Sequence, residues 1–237
     1  MSTFGLRFSR TCWRVWFSWA SPRSERYSHC TGTITPVAAT NALIVSRPSE
    51  GGVSIREVIR KREVDVACAS IDLAGAEIAM STMIGRERAL KKAFAPILED
   101  YDYIFVDTPP SLGLLTINAL AASQKVIVPV QCEYLSMRGL IQLQNTLSMV
   151  RDELNPDIEI EGILPTLVDN RTVHAKEAIE ILEENFGSRV FASRINKTVR
   201  FAEAPVKGMS VLKYDPDGKA AYAYRQLAEE VLANGKR

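Results

Sequence analysis

The residues best placed to do chemistry close an apolar run, Tyr103-Ile104-Phe105-Val106-Asp107-Thr108-Pro109-Pro110-Ser111. Four apolar residues are too few for a helix, and two prolines end the run, so it predicts a buried parallel strand with Asp107 at its carboxyl end. In an open α/β sheet that end faces the crevice where ligands bind, and a carboxylate there suits a divalent cation. An Asp that only caps the turn before Pro109-Pro110 explains the pattern equally well. His174 has no Ser, Cys or carboxylate partner at a telling spacing and reads as a partly exposed helix residue. Cys132 follows an apolar run and reads as a small buried side chain. Cysteines at 12, 30, 68 and 132 with only two histidines argue against a zinc cluster and for a reduced, cytoplasmic protein.

The elements that must position Asp107 follow from the pattern around it. From Val53 strand and helix signals alternate, which predicts an α/β domain with a mainly parallel sheet and helices on both faces. Strands are expected at 64–69, 103–106, 125–130 and 158–168. Helices are expected at 81–98, 113–123, 136–154, 172–186 with Gly187 as its stop, and 218–233. The chain divides into residues 1–52 and a domain over 53–237. Of 29 basic and 28 acidic residues, six arginines and two glutamates fall in the first 52, a net +4 that leaves −3 for the other 185. All three tryptophans, Trp13, Trp16 and Trp19, also lie there. The most apolar stretch, 112–130, is broken by Asn118, Gln124 and Lys125, so no membrane span is expected.

The block Asp107-Thr108-Pro109-Pro110-Ser111-Leu112-Gly113-Leu114-Leu115-Thr116-Ile117-Asn118-Ala119-Leu120 closely resembles the ParA/Soj chromosome- and plasmid-partitioning ATPases. So do Pro129-Val130-Gln131-Cys132-Glu133-Tyr134, Ala202-Glu203-Ala204-Pro205, Tyr214-Asp215-Pro216 and Ile71-Asp72-Leu73-Ala74-Gly75-Ala76-Glu77-Ile78. The likeness runs in order from about Val53 to Val231. It implies a P-loop NTPase-like fold, and in the intact family ATP-dependent homodimerisation, non-specific DNA binding and hydrolysis stimulated by a ParB-like centromere-binding protein. Asp107 matches the family's Walker B aspartate, implying Mg²⁺ coordination through water, with Thr108 and Pro109 beside the nucleotide. Arg171, Lys197 and Arg200 match its DNA-binding positions, where Asn196-Lys197 replaces Pro-Arg; phosphate contact needs charge and reach, which Lys197 retains. The resemblance also implies a cytoplasmic, nucleoid-associated protein.

The family's phosphate loop, K-G-G-x-G-K-[ST], has no match in these 237 residues. The Gly-Lys pairs, Gly218-Lys219 and Gly235-Lys236, lack the Ser or Thr, and Glu50-Gly51-Gly52-Val53 lacks both lysines. The second strand, which carries a carboxylate near the attacking water in relatives, has no match either. The fold is therefore expected to be incomplete at its N-terminus, with residues 1–52 playing no part and an interior sheet edge left unpaired. A frameshift or misassigned start is the expected source of the composition break, and ATP hydrolysis is expected to be lost. Two further readings are a catalytically dead DNA-binding or dominant-negative remnant and a MinD-like septum-positioning ATPase. The latter wants a basic amphipathic tail, whereas Arg225-Gln226-Leu227-Ala228-Glu229-Glu230-Val231-Leu232 carries an acidic pair.

Overall fold

Strands and helices alternate as the hydrophobic pattern requires, and five strands join in one sheet. The computed structural model describes residues 12–17, 54–67, 73–109, 111–132 and 137–234, with 12–17 and 73–76 described by backbone alone. The elements are β1 (Cys12–Phe17), α1 (Ile55–Val58), β2 (Arg60–Lys61), β3 (Asp65–Val66), α2 (Leu73–Met80), α3 (Ala89–Phe94), β4 (Tyr103–Thr108) and α4 (Leu114–Ala122). Then follow β5 (Lys125–Gln131), α5 (Met137–Glu153), β6 (Glu159–Val168), α6 (Val173–Phe186), β7 (Ile195–Asn196), α7 (Arg200–Val206), α8 (Val211–Tyr214) and α9 (Lys219–Asn234). The main sheet has the order β4-β1-β5-β6-β7, and all its pairings are parallel.

Three expectations are corrected. The interior edge is not left unpaired, because β1 lies between β4 and β5, with Trp16 in register with Asp107 and Phe17 with Thr108. Six of the first 52 residues thus belong to the sheet; the rest of that segment lies outside the described residues, as do Ile71, Asp72, Pro110, Glu133 and Tyr134. The single helix expected over 81–98 is broken into α3 between 3-10 turns at Arg86–Arg88 and Ala95–Asp100. Gly85 with φ +69° interrupts its start, and Pro96 removes the donor that would carry α3 onward. The strand expected at 64–69 is reduced to Asp65–Val66, which pairs antiparallel with β2 outside the main sheet. The helices α1, α2, α7 and α8 and the short strands β2 and β7 lie outside the spans expected for regular structure.

Alternation along the strands divides the core between the two faces. Ile104 and Val106 of β4 join Val126, Val128 and Val130 of β5 under Leu90, Phe94, Leu120, Leu140 and Leu147. Phe105, Ile127 and Leu164 face the other way, against Leu227 and Val231 of α9. Gly162 is required where β6 passes Phe191, since a Cβ would stand 2.5 Å from the ring.

A polar tie anchors the layer that holds the Asp107 strand. Buried Asn118 accepts from the Leu90 amide at 3.1 Å and donates to the Arg86 and Leu114 carbonyls at 2.8 and 3.0 Å. Asn118→Ala strips partners from one amide and two carbonyls, so stability should fall by about 2 kcal/mol. Urea unfolding against the parent chain checks this.

Candidate functional site

Asp107 and Thr108 sit at the carboxyl end of β4, but adjacent strand positions point to opposite faces. Asp107 lies on the Tyr103/Phe105 side, and its Oδ1 is shut off from solvent. Burial pushes its carboxyl up to about 6, moderated by a hydrogen bond from the Thr108 amide. The buried Thr108 hydroxyl has no hydrogen-bond partner among the described residues. The loop after β4 is pinned by Thr116, whose hydroxyl donates to the Ser111 carbonyl at 2.6 Å and, more weakly, to that of Pro109 at 3.5 Å. The head of α4, which opens from this loop, is capped by Glu77: its Oε1 accepts from the Leu115 amide at 3.3 Å. A Cβ at Gly113 would meet that oxygen at 2.7 Å, so any larger residue there would displace the Glu77 carboxylate.

Arg171, Lys197 and Arg200 are brought together. They line one cavity of about 430 Å³ with Asp169, Asp215 and Lys219, among other residues. Parallel pairing explains the convergence: β6 and β7 are neighbours, so the turns leaving their carboxyl ends open side by side. At the end of β6, Leu167 takes φ +50° where the register with β7 shifts, a left-handed conformation costing a Leu about 1 kcal/mol. The next residues, Val168 to Arg171, form one wall of the cavity. The Lys197 amide donates to the Val168 carbonyl at 3.1 Å and ties the two walls together. Asp107 does not line this cavity; β1 and β5 intervene between β4 and β6, a separation of roughly 14 Å in strand spacings.

The arginines are already engaged with carboxylates. Arg171 is held by Asp169 through Nε at 2.9 Å and Nη2 at 2.7 Å, which depresses the Asp169 carboxyl to about 2. Arg200 opens α7, where a cation opposes the helix dipole, and the surrounding carboxylates offset this. Its Nη1 donates to Glu203 at 2.8 Å, its Nε lies 3.4 Å from Asp215, and its guanidinium stands 5.9 Å from the Tyr214 ring centroid. The Tyr214 hydroxyl also donates to Glu203, at 3.1 Å. Both arginines are accordingly pushed up from their ordinary values, first by the hydrogen bonds to Asp169 and Glu203 respectively. Lys219, at the head of α9, is a further cation at this cavity that sequence reasoning missed. It stands 19 positions beyond Arg200 in a pair dismissed for lacking Ser or Thr, and only folding brings it in.

The remaining candidates are unremarkable chemically. His174 is exposed on α6, with Nδ1 3.5 Å from Glu177. Cys132 is buried, and burial raises its thiol to about 11, unsuited to nucleophilic work.

Comparisons with known proteins decide the family. The AAA domain family model AAA_31 matches residues 31–160, starting inside the segment that composition sets apart. The sporulation initiation inhibitor protein Soj of Bacillus subtilis (strain 168) is 46% identical over 183 residues, covering 77% of this chain and 72% of that protein. The chain belongs to the ParA/Soj family of partitioning ATPases. The chromosome partitioning protein ParA of Myxococcus xanthus (strain DK1622) is 38% identical over 210 residues, covering 87% of this chain and 70% of that one. Among solved structures, cobyrinic acid a,c-diamide synthase from Mycobacterium smegmatis with bound ATP analog and magnesium superposes with a TM-score of 0.72 at 32% identity. That superposition covers 96% of this chain and 84% of the other.

Membership in the ParA/Soj family raises the question of whether Mg²⁺ and ATP fit the residues present. Asp107 has the chemistry of a metal-site carboxylate, but no group of three or more potential ligands forms among the described residues. In sequence, the seven residues after β1 read Ser18-Trp19-Ala20-Ser21-Pro22-Arg23-Ser24, which contain neither the glycines nor the lysine of a phosphate loop. The head of α4 is taken by the Glu77 carboxylate. These residues do not fit Mg²⁺-ATP as a phosphate loop would hold it.

Proposed function

We propose that this ParA/Soj relative holds duplex DNA without regard to sequence through Arg171, Lys197 and Arg200, and that ATP hydrolysis is lost from it. The convergence of these residues on one cavity at the carboxyl edge of the sheet supports the reading. Side chains that reach phosphates from the ends of adjacent strands give affinity and position but no base readout. The net charge of −3 over residues 53–237 does not oppose this, since the cations are gathered on one surface. Lys219 enlarges the cluster, giving four cations against Asp169 and Asp215 among the cavity's lining residues. The setting is cytoplasmic, on the nucleoid, and the protein partner is ParB-like.

The loss of hydrolysis is supported by what flanks Asp107. A phosphate loop supplies several charge-assisted hydrogen bonds of about 1.5–3 kcal/mol each, and their joint loss removes the basis for nucleotide affinity. ATP-dependent homodimerisation is accordingly not assigned to this chain. The test is retention of duplexes of unrelated sequence by the full chain across a salt series. Affinity should be indifferent to sequence and fall steeply with salt; retention of one sequence alone, or none at low salt, contradicts the proposal.

A further inference from the structure

The cavity contains an internal competitor for the phosphate it is proposed to bind, and this inference rests on that reading. Arg200 is gripped from two sides. Glu203 holds Nη1 at 2.8 Å and is not among the residues lining the cavity, whereas Asp215 lines it and faces Nε at 3.4 Å. Among the described residues, Arg200 is the sole ion-pair partner of the Asp215 carboxylate.

The placement of Asp215 is built into the chain. Its amide donates to the Val211 carbonyl at 3.0 Å, and its carbonyl accepts from the Gly218 amide at 3.0 Å, closing a tight turn between α8 and α9. Arg225 of α9 pins the same turn by donating to the Pro216 carbonyl at 2.6 Å. A Cβ at position 218 would stand 2.3 Å from Asp215 Oδ2, so glycine is what lets the carboxylate lie over the head of α9. The carboxylate therefore occupies ground that a phosphate approaching Arg200 and Lys219 must enter.

We propose that Asp215 sets the affinity of this surface for phosphodiesters, acting as a stand-in for phosphate at Arg200. Asp169 differs, because it also fixes the turn into α6 by accepting from the Arg171 amide at 3.1 Å. Its removal would disturb geometry together with charge. Asp215→Asn keeps the shape and removes one negative charge from the path of the ligand.

The experiment compares duplex DNA binding by the full-length parent, Asp215→Asn, Asp215→Ala and Asp215→Glu across a salt series, with Arg200→Ala and Arg171→Ala alongside. Circular dichroism establishes that each variant is folded. Asp215→Asn and Asp215→Ala should bind roughly fivefold more tightly at low salt, with the gain shrinking as salt screens the removed charge. Asp215→Glu should return to the parent value. If the Asn and Ala variants bind no more tightly than the parent while Arg200→Ala weakens binding, Asp215 has no such role and the DNA-binding reading stands. If neither arginine substitution weakens binding, the cavity is not the DNA site and both ideas fall. An uncharged variant that misfolds leaves the other to decide.

Discussion

Simultaneous replacement of Arg171, Lys197 and Arg200 by alanine should lower affinity for duplex DNA roughly a hundredfold or more at low salt. Each phosphate neutralised by a cation releases condensed counterions, so three lost contacts should also flatten the dependence of log K on log salt by about 2.7. The internal ion pairs temper the effect of single substitutions: Arg171 leaves Asp169, and Arg200 leaves Glu203 and Asp215, to meet phosphate. Single variants should therefore weaken binding much less than a third of the triple effect on the logarithmic scale. The three cations surround one cavity, and a phosphate backbone engages them together. Filter retention or fluorescence anisotropy across a salt series measures both quantities. An unchanged slope in the triple variant would place the DNA contact elsewhere on the molecule.

Asp107→Asn should stabilise the protein at neutral pH. Burial raises the Asp107 carboxyl from its ordinary value of 3.8 to about 6. Between these values the folded state binds more protons than the unfolded state, so stability falls as pH rises through this window. Above it the cost of the ionised carboxylate is fully present, up to about 3 kcal/mol. The asparagine variant escapes that cost, gaining as much as about 3 kcal/mol at pH 7 and nothing below about pH 4. Denaturant unfolding of parent and variant at several pH values reads the difference directly. Such a gain would mark Asp107 as a charge kept at the strand end against stability, the pattern of a residue inherited for chemistry. A variant of lower stability at pH 7 would show that its carboxylate serves the fold instead.

The parallel sheet was legible because buried strands leave an unambiguous trace. Tyr103-Ile104-Phe105-Val106 and Lys125 to Val130 are apolar runs too short for helices, and both form strands of the main sheet. The long helix at Met137–Glu153 was equally plain from its periodicity and from Asn155-Pro156 at its end. The region from Ser81 to Leu98 misled because its apolar residues recur at helical spacing, while Gly85 and Pro96 act on the backbone regardless of that pattern. The placement of β1 was hidden for a different reason. Cys12-Trp13-Arg14-Val15-Trp16-Phe17 lacks the family's sequence and sits among arginines, yet it pairs in parallel with both β4 and β5.

At the site, the resemblance located Arg171, Lys197 and Arg200 one by one, and the adjacency of β6 and β7 turned them into a cluster. Their carboxylate partners were not legible. Glu203 falls one helical turn after Arg200 and Asp169 two residues before Arg171, spacings too common to single out an ion pair. Asp215 and Lys219 enter through the turn before α9, which only the fold brings beside Arg200.

The proposed function separates DNA binding in this chain from the nucleotide chemistry of its family. The most direct measurement is the affinity of the purified full-length chain for duplex DNA with and without millimolar Mg²⁺-ATP, paired with equilibrium dialysis of labelled ATP. The same salt-dependent DNA affinity is expected in both conditions, with no saturable ATP binding in the micromolar range. Micromolar ATP affinity, or DNA binding that appears only when ATP is added, would contradict the proposed function.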